Sequence, residues 1–172
     1  MGQSVIRLLN FKIRKLIWND YTETMTTTAI FHLAIPISNV AQAKEFYAEN
    51  LGCAVGRENN SAVIFNFYGT QLVAHVTQDV LTKQTGIYPR HFGLILPTKL
   101  AWQQLCDRAQ AKNITFYHAP KLRFPHQELE HHCFFLEDPF HNLLEFKHYS
   151  QPEVIFGGTQ SSLIGDTVAT NK

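Results

Sequence analysis

Cysteine is scarce: Cys53, Cys106 and Cys133 are the only three in 172 residues. None lies close enough to another for the CxxC spacing of a structural zinc site or a redox pair. An odd, scattered set fits reduced core thiols in a cytoplasmic protein. A charge excess is also missing. Fifteen Lys and Arg against fourteen Asp and Glu leave a formal net charge of +1, too little field to favour nucleic acid or acidic lipid as a partner. A small, roughly neutral substrate is the simpler expectation. No stretch approaches the roughly 20 apolar residues of a membrane span, and the first residues lack a signal peptide's apolar block and small-residue cleavage site. No stable membrane insertion is therefore expected. Apolar residues are plentiful: 45% hydrophobic against 17% charged, enough for one well-cored domain.

Residues 1–28 read as an extension. Ile6, Leu9, Ile13, Leu16 and Ile17 recur at helical spacing, with Arg7, Lys12, Arg14 and Lys15 on the remaining faces, as in a surface-binding amphipathic helix. MGQSVI has Ile6 where N-myristoylation needs Ser or Thr. Met25, just before TTT and the first strand, offers a second explanation, an alternative start. Residues 150–172, with GGTQSS, read as a flexible tail.

Between them lies a repeat. AIFHLAIPI (29–37) is a strand; Asn39 with Gln42 makes a capping box; Val40, Ala43, Phe46 and Tyr47 form a helical apolar stripe stopped at Gly52. Three strand-like stretches follow, at about 53–57, 61–67 and 71–77. The order returns in RHFGLILP (90–97), a helix capped by Thr98 carrying Trp102, Leu105 and Ala109, a stop at Asn113, and strands at about 114–118, 132–137 and 142–148. The units are βαβββ, modules 29–78 and 90–149, in an α+β domain spanning 29–149.

DPFHNLLEFK (138–147) places Glu145 among Leu143, Leu144 and Phe146, and a lone carboxylate there is what an edge strand commonly carries on its wet face. Superposing the units changes its weight. His32 and His91 share one place in the opening strands. From Gly52 to His75 is 23 positions and from Asn113 to Glu145 is 32, so His75 falls opposite Glu145 if the second unit holds nine extra residues, in YHAPKLRFPHQELE (117–130). Pro120 and Pro125 argue against regular strand pairing in that loop. Side-chain alternation lets each of the four turn inward. Three imidazoles and a carboxylate converging between two sheets make a metal site.

FHLAIPI, EFYAENLGC, HFGLIL and FFLEDPFHNLLEFK together resemble the vicinal oxygen chelate superfamily, which includes glyoxalase I, fosfomycin and bleomycin resistance proteins and extradiol dioxygenases. Within it the chain is most similar to small single-domain predicted extradiol-type dioxygenases. The resemblance implies paired βαβββ modules forming an open, eight-stranded mixed β-cup flanked by helices around a divalent metal, often in a homodimer. Its ligands map to His32, His91 and Glu145. His75 lies where glyoxalase I carries a further carboxylate, and His141 replaces the usual glycine of the DP-x-G-N turn.

Two imidazoles and one carboxylate suit Fe(II), with open positions for a bidentate substrate and O2. Fe(II) is favoured through the resemblance, because a thiolate-free set discriminates poorly against Mn(II), Ni(II) or Zn(II). Binding by His75 as well would favour an enediolate chelate and glyoxalase-type lyase or isomerase chemistry. A metal-free binding cup, as in the resistance proteins, is the third alternative, and one with no need for three such ligands. For proton transfer, His126 and His132, with His131, are the candidates, set against a solvated hairpin end beside Glu128 and Glu130. Arg123 is a candidate for holding an anionic group, set against an exposed hairpin position.

Overall fold

Asn39 and Thr98 both begin helices, as their spacing predicts, and the rest of each module follows from those starts. The computed structural model describes residues 29–157 and Gly165; residues 1–28 and the remainder of the tail, with the readings made for them, lie outside the described residues. The chain divides into two units, Met1–Phe31 and His32–Lys172, and every described strand and helix belongs to the second. The first module comprises β1 (His32–Ile37), α1 (Val40–Lys44) continuing as a π-helical stretch (Glu45–Asn50), β2 (Ala54–Asn59), β3 (Ala62–Phe67) and β4 (Thr70–Val76). The second comprises β5 (Phe92–Ile95), α2 (Lys99–Ala111), β6 (Phe116–Arg123), β7 (His131–Glu137) and β8 (Leu143–Tyr149).

Each module makes its own four-stranded sheet, in the orders β1-β4-β3-β2 and β5-β8-β7-β6. The first and last strands run parallel and the other pairs antiparallel. The expected α+β pair of βαβββ modules is present as two open mixed sheets.

The helix ends follow the sequence. The Asn39 side chain accepts from the Gln42 N–H at 3.0 Å and the Thr98 hydroxyl from the Ala101 N–H at 3.1 Å, satisfying donors that a first turn leaves without partners. At the far ends Gly52 (φ +86°) and Asn113 (φ +52°) take the left-handed conformation. Asn113 closes a Schellman turn in which the Ile114 N–H donates to the Ala109 carbonyl at 2.9 Å. The wider π-helical end of α1 sends the Cys53 N–H to the Tyr47 carbonyl instead.

Both sheets bury their helix-facing side chains in one shared core, with Tyr47, Phe65, Phe134 and Phe146 fully buried and Trp102 nearly so. The Trp102 indole N–H donates to the Phe146 carbonyl at 3.0 Å, so its one polar atom is satisfied. Cys53, Cys106 and Cys133 are buried free thiols.

Polar bonds cross between the modules at the helix ends. Arg108 donates to the carbonyls of Asn50 and Glu49 at 2.7 and 3.1 Å, and the Tyr47 hydroxyl donates to Asp138 Oδ2 at 2.7 Å. Removing that hydroxyl in Tyr47→Phe strips a buried carboxylate of a donor and is expected to cost about 1–2 kcal/mol. Thermal unfolding reads the loss; an unchanged melting temperature would mean the bond contributes nothing net.

Two expectations are revised. β6 runs through Pro120, where the prolines argued for a loop. It is an edge strand, and its register shifts between Phe116 and His118 and between His118 and Lys121, so Pro120 sits at a bulge where no ladder donor is needed. Part of the expected tail is a helical turn, α3 (Val154–Gly157), with Val154 buried.

Candidate functional site

Strand alternation sorts each sheet into a helix-facing side and an inner side. In the first sheet Leu33, Ile35, Ile37, Leu72 and Ala74 join the core, leaving His32, Ala34, Gln71, Val73 and His75 on the inner side, by the β1–β4 register. In the second, Phe134, Leu136, Leu144 and Phe146 join the core, and Cys133, Phe135, Leu143, Glu145 and Lys147 face inward.

On that second inner face His91 and Glu145 meet, with Nε2 3.2 Å from Oε2. The ring's other nitrogen, Nδ1, lies 2.7 Å from the Ile87 carbonyl. A carbonyl only accepts, so Nδ1 carries the proton and Nε2 turns its lone pair toward the carboxylate. Lone pair and anion repel unless a proton or cation lies between them. Protonation is one solution: the Glu145 hydrogen bond holds the His91 pKa above its usual value. Burial alone would raise that of Glu145, but the His91 and Lys147 interactions outweigh it and lower it. Glu145 is 5% exposed, Lys147 Nζ lies 2.9 Å from the same Oε2, and the other oxygen, Oε1, is buried with no partner.

Gly93 makes this approach possible. It pairs with Glu145 across the parallel β5–β8 ladder, and a Cβ there would lie 2.6 Å from the Glu145 carbonyl carbon and 2.8 Å from its nitrogen. Beside the pair Ile87, Phe135, Leu143 and Tyr117 pack into an apolar wall, the Phe135 ring centroid 5.4 Å from that of His91.

His32 is exposed on β1 in the other sheet. Its Nδ1 lies 2.7 Å from Gln71 Oε1, which likewise leaves Nε2 as the lone-pair nitrogen. It is not gathered with His91 and Glu145: among the described residues no group of three or more His, Cys, Asp or Glu side chains is placed to hold a metal ion.

The ladders also revise the register of the superposition. His32 pairs with Gln71, whereas the β5–β8 ladder, extended by one residue, sets His91 opposite Leu143. With the two histidines equivalent, Val73 is the counterpart of Glu145, and His75 that of Lys147, two residues further along. The second module thus holds eleven extra residues between helix stop and this point, rather than nine. His75 is exposed. His75→Ala is therefore expected to leave metal affinity within about twofold of wild type, a loss of less than about 0.5 kcal/mol, measured by titration of the chelator-stripped chain.

His132 lies on the helix-facing side of β7, its ring 5.1 Å from that of Trp102, on the opposite side of the strand from Glu145. His126 is exposed (φ +62°) in a groove of about 470 Å³ with Glu130 and Ser150. Neither joins the His91–Glu145 pair. Arg123 is 7% exposed, buried on β6 rather than an open hairpin end. His141 keeps the left-handed conformation of the glycine it replaces (φ +67°), its Nδ1 2.8 Å from Glu137 Oε1.

The donor chemistry fits a divalent cation. A tethered imidazole presenting Nε2, an ionised carboxylate with an unpartnered oxygen and a carbonyl fixing the tautomer are the supports such ions use. Ile87, Gly93 and Lys147 were not singled out from sequence. Gly93 had a signal, since an isolated strand glycine marks close backbone approach.

Paired βαβββ modules with this inner-face pair define a cup-fold protein built by repetition. The chain belongs to the Glyoxalase/Bleomycin resistance protein/Dioxygenase superfamily, whose family model matches residues 29–146. It is similar to a glyoxalase/bleomycin resistance protein/dioxygenase from Alicyclobacillus acidocaldarius, with 36% identity over 77% of this chain and 99% of that one, and a TM-score of 0.72. The fold is shared with a lactoylglutathione lyase from Agrobacterium tumefaciens (20% identity, 72% of this chain and 95% of that one, TM-score 0.55) and a fosfomycin resistance protein from Listeria monocytogenes (11%, 74% and 98%, 0.56). No curated protein matches the chain.

Proposed function

We propose that this chain is a divalent-metal-dependent enzyme of the superfamily, of the extradiol dioxygenase-like branch, acting on a small vicinal di-oxygenated compound. The observation that carries the reading is the His91–Glu145 pair, with Nδ1 of the imidazole tethered and one carboxylate oxygen unpartnered. His91 and Glu145 would hold the ion with His32 as the third ligand. Fe(II) is favoured over Mn(II), Ni(II) and Zn(II) on the resemblance. Bound there, the ion would chelate adjacent oxygens and stabilise negative charge developing on them. The wall of Ile87, Phe135 and Tyr117 excludes water from that side, and Lys147 holds the carboxylate ionised.

Val73 at the fourth position supports a three-ligand set and so favours the dioxygenase reading over glyoxalase-type lyase chemistry, which would use a fourth ligand. Because His32 stands apart from the pair within one chain, the reading includes a homodimer, in which His32 of the partner subunit completes the set. A cytoplasmic location is part of the same proposal.

Metal analysis after purification without chelator tests the core of it: about one divalent ion per chain is expected, at roughly the full occupancy of a site binding well below the protein concentration. Failure to bind any ion even on reconstitution would favour a metal-free binding cup. Anaerobic Fe(II) loading, then oxygen uptake with a panel of catechols, tests the reaction class. Turnover of a hemithioacetal without oxygen uptake would move the assignment to a lyase.

A further inference from the structure

Beyond Glu145 the inner face of the second sheet changes character. By the strand registers Lys121, Cys133 and Lys147 form the next row across β6, β7 and β8, and Arg123, His131 and Tyr149 the row after that. These two rows carry three permanent cations and no carboxylate. The charges are close enough to act on one another: the Cys133 thiol feels Glu145 and, against it, Arg123, Lys121 and Lys147, and His131 feels Lys147 and Arg123 and, less, Glu145.

His131 is the telling residue. It is 4% exposed, its ring centroid lies 4.7 Å from that of Tyr149, and its Nδ1 lies 2.7 Å from the Leu129 carbonyl. As at His91, the carbonyl fixes the proton on Nδ1. Nε2 is then buried with no partner. Buried polar atoms almost always have one, and an imidazole nitrogen that presents a lone pair is completed by an oxygen group that brings a proton, so that an O–H or N–H lies between the two.

We propose that these rows form a subsite for an oxyanion, a carboxylate or phosphate on the ligand whose other end meets His91 and Glu145. His131 Nε2 meets the group through a proton that the group brings with it, and Lys121, Arg123 and Lys147, the last already paired with Glu145, balance its charge. The subsite sets specificity: it selects, among small di-oxygenated compounds, those bearing an acidic tail along the β8 direction. This rests on the reading of His91 and Glu145 as the metal-binding end, and it revises the expectation of a roughly neutral substrate.

The test uses the full chain stripped of metal, so that oxyanion binding is read independently of the ion. Side-chain nitrogen resonances of 15N-histidine-labelled protein are followed at constant ionic strength during addition of inorganic phosphate, of glutarate, or of neutral 1,5-pentanediol. The His131 signal is assigned by its loss in His131→Gln. A saturable shift with phosphate or glutarate and none with the diol is expected, and the arm that binds more tightly identifies the headgroup. Lys121 is exposed, so Lys121→Glu folds; it should weaken binding at least about tenfold, equal to about 1.4 kcal/mol. Absence of a shift with both anions, an equal shift with the diol, or wild-type affinity in Lys121→Glu would each overturn the subsite. Metal binding measured separately would then still stand or fall alone.

Discussion

Gly93→Ala is expected to destabilise the protein by at least about 3 kcal/mol, the upper part of the range for overpacking a well-packed interior. The added methyl would meet the carbonyl carbon of Glu145 at 2.6 Å and its nitrogen at 2.8 Å. Those atoms are ladder backbone and cannot turn aside as the end of a flexible side chain would. β5 must separate from β8, and with only four residues in β5 little pairing remains to hold it. Against a typical total of about 5–15 kcal/mol, the variant should melt far below wild type or fail to accumulate as folded protein. The same displacement carries His91 away from Glu145, so any folded fraction should also bind metal poorly. A variant with wild-type melting temperature would show that the strands are less closely pressed than the structure has them.

Glu145→Gln removes the negative charge and keeps the shape. Loss of outer-shell partners of metal ligands typically costs 10–100-fold, and loss of the only carboxylate in the proposed set should cost about 100-fold or more in affinity for Fe(II) or Zn(II). The fold should survive, because burying a neutral amide relieves the desolvation that opposes the Glu145 charge, although Lys147 loses its partner. Titration of the stripped variant against a competing chelator measures the affinity, and circular dichroism checks the fold. Retained affinity would remove Glu145 from the site and the principal support for metal-dependent chemistry with it.

Element order, both helix caps and both helix stops were legible in the sequence because each depends on local chemistry: an Asn or Thr side chain meeting an N–H three residues on, a Gly or Asn accepting positive φ. Facing within strands was legible for the same reason, a fixed period of two. Register was not. Whether His75 or Val73 stands where Glu145 does depends on where the strands slip against each other, and counting positions from a helix stop cannot locate extra residues that the intervening strands absorb. Pro120 misled in a related way, since a proline excludes a central strand but not a bulged edge. The pairing of His91 with Glu145 follows from their places, one residue before β5 and within β8, whereas the tethering of Nδ1 by Ile87 comes from an irregular segment without period or motif.

The cross-links at the helix ends also bear on whether either module could stand alone. Tyr47 of the first module is anchored on Asp138 of the second, and Arg108 of the second closes the end of the helix in the first. The modules repeat one order of elements, yet each satisfies some of its polar groups with partners in the other. Cut between β4 and β5, the amino-terminal half would expose the Tyr47 hydroxyl and the ring of Phe67, which packs against Phe92 and Phe146. The two halves are therefore not interchangeable parts, because each buries polar and aromatic groups whose partners lie in the other.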